Sequence, residues 1–234
     1  MKRAERALLT ILFLGALSLP FAIVFGGRFD FNGVSIAVRL LALSAFTLIF
    51  VQIITGALMQ QLLKVFRPKR IWFFHRYVGE AAFVLVVGHA TIVLLVGTFH
   101  AGGLVLRFLT LWRGYDALHR VALILGPVNL TLITLTVITA LLMRALRKYW
   151  RTIHYLNYLI FAIVIFHGLL LGTDTGASWL VKALFIVYGA LAAAVLGWRL
   201  AHGPRRHRGA KTAVDGSAAK KKPEGAPAGE ASPA

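Results

Sequence analysis

Long apolar runs alternate with short polar segments along nearly the whole chain. The runs occupy 7–25, 36–63, 74–97, 121–143, 153–171 and 180–198, and the polar segments 26–35, 64–73, 98–120, 144–152 and 172–179. A helix rising about 1.5 Å per residue needs roughly 20 apolar residues to cross a hydrocarbon layer about 30 Å thick. Each run meets that length. Every backbone N–H and C=O inside lipid must be satisfied within the spanning element, so runs of this length read as helices. The pattern predicts an all-α membrane protein, a six-transmembrane-helix bundle over residues 1–202. The run at 7–25 follows a basic start, as a signal peptide does. It exceeds an ordinary signal core, and Gly26-Gly27-Arg28 offers no small-x-small cleavage site, so it is read as a retained span.

From residue 203 the character changes. The segment 203–234 is rich in Ala, Gly, Pro and Lys and has almost no large apolar side chain, which predicts a disordered basic cytoplasmic tail.

Charge sets the expected orientation. The chain carries 26 Lys and Arg against 8 Asp and Glu, with 59% hydrophobic residues and mean hydropathy +0.77. With the N-terminus inside, all the basic residues except Arg28, Arg39, Arg107, Arg113, Arg120 and Lys182 fall on the cytoplasmic side. The positive-inside rule therefore favours an N-in, C-in topology and accounts for the basicity without nucleic acid as a partner. The expected setting is a multi-pass protein of the bacterial inner membrane, with lipids around it. No cysteine is present, so thiolate zinc sites, iron–sulfur clusters, covalent haem attachment and disulfides are excluded.

Histidine is the metal-binding residue type that remains. Four histidines lie in the spans as two spaced pairs, His75 with His89 on the third and His154 with His167 on the fifth. The separations are about 21 Å and about 19.5 Å along a helix. Ionisable residues inside a membrane are functional candidates by default. Both spans run in the same direction, so the depths match His75 to His154 and His89 to His167. Each matched pair offers two axial ligands to one flat metal cofactor, the pattern of an electron-transfer haem. Separations near 20 Å exclude a single four-histidine zinc or proton-relay cluster. Helical phase suits the third span, where the two histidines are about 40° apart around the axis. On the fifth they come out about 140° apart, unless the first turn is irregular. His100, His119, His202 and His207 are placed in loops or tail.

The stretches H75-R-Y-V-G-E-A-A-F-V-L-V-V-G-H89 and H154-Y-L-N-Y-L-I-F-A-I-V-I-F-H167-G carry a family resemblance. The two spacings, on the third and fifth of six spans, resemble the ferric reductase-like transmembrane domain superfamily, over roughly residues 1–200. That superfamily covers ferric reductases, NADPH oxidases and bacterial membrane haem subunits. The resemblance implies two haem b groups between the third and fifth helices. It implies a dihaem b-type cytochrome carrying electrons from a cytoplasmic-side donor to an external acceptor, as an oxidoreductase component. An arginine near the outer haem in that superfamily corresponds to Arg39.

Haem propionates are anionic, so basic residues near the ligands are candidate contacts: Arg76, Arg151 and Arg70 on the inner side and Arg39 on the outer. Gly79, Gly88 and Gly168 are candidates for close approach of a ring, or for ordinary helix packing. Glu80, inside the third span, has no partner legible in the sequence. No strand-bound G-x-G-x-x-G follows the last span, so the chain is expected to need a separate flavoprotein reductase or membrane quinol as donor. Flavin or quinone would come from that partner or from the membrane. The acceptor would be a ferric chelate or a periplasmic enzyme. Val93 stands where the oxidases of the superfamily carry a further histidine, which weighs against superoxide production. Two rivals remain: the haem membrane subunit of a periplasmic methionine sulfoxide reductase, and a non-redox transporter or scaffold.

Overall fold

A computed structural model describes residues 14, 18–25, 33–100 and 112–202, with backbone alone at 97–100. No strand occurs among them. Most of the run at 7–25, the centre of the 98–120 segment and the tail at 203–234 lie outside the described residues. Residues 18–25 are helical. The ordered helices are then α1 (Gly33–Ala57), α2 (Met59–Val65), α3 (Pro68–His100), α4 (Ala117–Leu141), α5 (Trp150–His154), α6 (Leu156–Leu171), α7 (Thr173–Ala177) and α8 (Trp179–His202). Among the described residues, five helical stretches are long and apolar enough to cross a membrane: α1, Pro68–Val96 of α3, α4, Trp150–Leu171 and α8.

α3 and α8 extend past both ends of the apolar runs that predicted them, because polar residues continue a helix beyond the hydrocarbon. Pro68 opens α3, where a missing N–H costs nothing, and Lys69 and Arg70 lie in its first turn. The run at 36–63 is not one helix: it breaks at Leu58 into α1 and the short α2. Three of the loop histidines are corrected as well. His119 belongs to the first turn of α4, and His202 is the last residue of α8. His100 likewise ends α3, and His207 lies outside the described residues.

Packing is closest between α1 and α3 and between α4 and α6. α3 also packs on α4, and α6 on α1, which closes a ring of four helices. α3 and α6 sit diagonally across that ring and scarcely touch. α8 braces it from outside, against α1 and α6. The seam is aromatic: Phe46 stacks on Phe185 and Phe50 on Tyr188, each pair with ring centroids 3.9 Å apart. Phe161 of α6 completes the cluster, 5.7 Å from Phe46. Phe46/Phe50 and Phe185/Tyr188 are one helical turn apart, so each pair presents a single ridge.

Asp116 caps α4. Its Oδ1 accepts from the His119 backbone N–H at 2.9 Å and from His119 Nδ1 at 2.8 Å. These bonds, the backbone one foremost, hold the carboxyl below the usual carboxylate range. A depressed value means that the stabilisation is complete above the unfolded carboxyl's range and disappears as pH falls through the folded value. Asp116→Ala is therefore expected to speed amide exchange in the first turn of α4 at neutral pH. That difference from wild type should vanish in acid; an equal difference at every pH would show that the carboxylate charge is not what caps the helix.

Candidate functional site

All four span histidines project into the ring of helices, and each is half-buried. They form two levels. His75 and His154 lie at the level of Gly56, with ring centroids 6.1 Å apart and planes crossed at 66°. His89 and His167 lie at the level of Val38 and Ala122, close enough to interact electrostatically. These are the pairings expected from depth and chain direction. No group of three or more His, Asp or Glu side chains converges as a metal site among the described residues; the imidazoles come in twos.

Each ring is fixed through Nδ1. His89 Nδ1 donates to the Val38 carbonyl at 3.3 Å, and His167 Nδ1 to the Ala122 carbonyl at 2.8 Å. A carbonyl can only accept, so both rings carry their proton on Nδ1. His75 Nδ1 lies 3.1 Å from Thr55 Oγ1, whose own hydrogen goes to the Val51 carbonyl at 2.7 Å. The hydroxyl is left to accept, and His75 takes the same tautomer. His154 Nδ1 meets the Asn157 amide Nδ2 at 3.2 Å. A half-turn of that amide puts its oxygen in the same place and lets Nδ1–H donate. The unprotonated Nε2 of the three fixed rings is a lone pair facing no hydrogen-bond donor among the described residues.

The awkward phase of the fifth span has a structural answer. The run at 153–171 is broken at Tyr155, between α5 and α6, so His154 belongs to a separate turn. Tyr155 N–H is shared between the Arg151 and Thr152 carbonyls, 3.2 Å to each, and Tyr158 N bonds back to Tyr155 O at 3.2 Å. Bonds of the i→i+3 kind turn the chain about 120° per residue instead of 100°, in the direction that closes the gap between His154 and His167.

Glycines adjoin the rings, but not those singled out from the sequence. A Cβ on Gly126 would come 3.1 Å from His167 Cε1, and one on Gly56 would come 3.4 Å from His75 Cε1. Gly79, Gly88 and Gly168 instead face Gln52, Leu41 and Phe185, which is helix packing. Gly126 and Ala122 precede Pro127, which removes one ladder hydrogen bond from α4 beside His167. Glycine next to proline in a span was the available signal. The histidine it would meet lies on another helix.

The candidate arginines are engaged elsewhere. Arg39 is buried against Asp174: Nη2 lies 2.6 Å from Oδ1, and Nε donates to the two carboxylate oxygens at 2.8 and 3.1 Å. Arg76 pairs with Glu80 at 2.7 Å on an exposed face of α3, which supplies the missing partner of Glu80. Arg151 is exposed and lies over the Trp150 ring, 5.7 Å from its centroid. Arg70 is exposed in the first turn of α3. Asp174 was missed because the 172–179 segment reads as a short loop. It is α7, held to α6 by Thr175 Oγ1 donating to the Gly168 carbonyl at 2.6 Å. A signal existed in the expected topology: a buried arginine in a span calls for an acid at its own level.

The chain matches no family model, no curated protein and no solved structure.

The side chains of Arg39 and Asp174 are only 7% and 9% exposed. Removing one partner leaves a buried charge uncompensated, so Asp174→Ala is expected to cost about 3–5 kcal/mol. Arg39→Met combined with Asp174→Ala should recover most of it. Reversible unfolding in mixed micelles measures both, and a loss under about 1 kcal/mol would mark the pair as water-screened.

Proposed function

We propose that this chain is a dihaem b-type membrane cytochrome, with one haem held by His75 and His154 and a second by His89 and His167. The observation that carries the reading is the shared state of three rings. His75, His89 and His167 each bond Nδ1 to a fixed neighbour and leave Nε2 facing no hydrogen-bond donor among the described residues. Metal-bound histidines are oriented in this way: the second nitrogen donates to a carbonyl or hydroxyl, which sets the tautomer and the ring plane.

The residues fit such a group. Two imidazoles sharing one ion at about 2.0–2.1 Å per bond hold their centroids roughly 6 Å apart, and His75 and His154 are 6.1 Å apart. α3 and α6 stand on opposite sides of the helix ring, as supports for a flat ligand between them must. Gly126 and Gly56 leave room beside His167 and His75.

Bound haem would supply one-electron chemistry; His75, His154, His89 and His167 would hold it, and the chain would supply ring orientation and a low-dielectric sheath. Thr55, Val38, Ala122 and Asn157 keep the imidazoles from turning as charge arrives or leaves. With the N-terminus inside, as basic-residue bias favours, six spans place the first pair toward the cytoplasm and the second toward the outer face of a bacterial inner membrane. Electrons would enter from a separate flavoprotein reductase or from quinol, and leave to a ferric chelate or a periplasmic enzyme. This is a ferric reductase-like, electron-transfer role.

The purified chain is expected to show reduced b-type bands and two haems per chain. Either His89→Ala or His167→Ala should remove one haem and leave the other. A folded, colourless product would overturn the cytochrome reading and favour a transporter or scaffold. Gly126→Val should crowd the His167 ring and weaken haem retention at the second pair, while Gly56→Ala, in ordinary contact range, should leave the first pair intact. Equal haem loss in both variants, read from haem-to-protein ratios, would show that neither glycine shapes a site.

A further inference from the structure

Arg199 was counted among the basic residues after the last span and given no role. The fold brings it to the first histidine pair. It lies in the last turn of α8, half-buried, with Nη1 donating to the Gly56 carbonyl at 3.3 Å and to the Tyr158 hydroxyl at 3.2 Å. Its guanidinium lies over the Tyr155 ring, 5.7 Å from the centroid. Gly56 is the residue against His75. Tyr155 is the joint that follows His154, and the charge of Arg199 reaches His154 itself. A cation is thus held between the supports of both imidazoles.

That cation has no acid of its own among the described residues. The three described carboxylates are all paired: Asp174 with Arg39, Glu80 with Arg76, and Asp116 with His119. Its bonds to a carbonyl and a phenol orient the guanidinium without neutralising it. A half-buried charge lacking a counter-ion is costly at the edge of a low-dielectric interior. An arginine fork matches a carboxylate in shape and charge.

The geometry points to Arg199 as the cationic anchor for a carboxylate of the cofactor shared by His75 and His154. This rests on the haem reading above and assigns the role to a residue other than Arg39, Arg76 and Arg151. Pairing that carboxylate would offset its negative charge near the metal, so Arg199 would raise the midpoint potential of the site.

The test uses the full chain carrying His89→Ala, which isolates the first pair, reconstituted with protohaem or with its dimethyl ester, whose two carboxylates are masked. The chain with Arg199 should prefer protohaem by about tenfold, the scale of one charge-assisted contact. Arg199→Gln should bind the two alike, and Arg199→Lys should keep part of the preference. In Arg199→Gln the oxidised-to-reduced ratio at fixed poise should rise about tenfold, a fall of ~59 mV for one electron.

An unchanged preference and potential in Arg199→Gln would overturn the assignment while leaving the haem reading standing. A wild-type chain that takes up no haem would overturn both. If Arg199→Gln fails to fold, the ester comparison on the chain with Arg199 intact decides: equal affinities for protohaem and its ester would reject the anchor.

Discussion

An imidazole inside a membrane has two nitrogens to satisfy and no water to do it, and the arrangement of this protein follows from how that is met. One nitrogen of each ring is bonded to a neighbouring helix, or to the next turn in the case of His154. These bonds require α1 to lie against α3 and α4 against α6, the two closest packings of the fold. Under the haem reading the other nitrogen takes a ligand, which requires α3 and α6 to stand apart. A four-helix ring with the histidine helices on its diagonal meets both demands at once.

Charge is distributed on the same two levels. Near the second pair, Arg39 follows Val38, whose carbonyl orients His89, and its side chain closes on Asp174 just beyond the helix that carries His167. Near the first pair, Arg199 joins the turn beside His75 to the tyrosines beside His154. The two arrangements differ in one respect. Arg39 has a carboxylate within the chain, whereas Arg199 is held by neutral groups. Arg39 is neutralised within the chain, and Arg199 meets no carboxylate among the described residues.

Much of this was legible along the chain, and the exceptions have identifiable causes. Run lengths gave the helices, since lipid permits few other backbone solutions. Histidine spacing and chain direction gave the pairs, since depth in a bilayer is nearly linear in residue number. The 140° discrepancy on the fifth span came from assuming an ideal helix, which the joint at Tyr155 is not. Gly79, Gly88 and Gly168, chosen for proximity in sequence to a histidine, pack on other side chains, while Gly56 and Gly126, distant in sequence, adjoin His75 and His167. On a helix, an immediate neighbour points about 100° away from the residue it follows. Residues beside a histidine in the chain therefore tend to face a different helix.

The sequence by itself determined a membrane-embedded helical protein with histidines paired at two depths. Composition and one-dimensional spacing suffice for that, because the bilayer supplies the third coordinate. Only the tertiary structure decided what surrounds each ring: which carbonyl sets its tautomer, which glycine adjoins it, and which arginine lies beside its supports. Those contacts join residues from 19 to 143 positions apart in separate helices, and a helix's rotation about its own axis is fixed by its packing partners rather than by its own apolar composition. α1, apolar on every side, illustrates this. Its sequence says that it spans; its neighbours decide that Val38 and Thr55 face histidines.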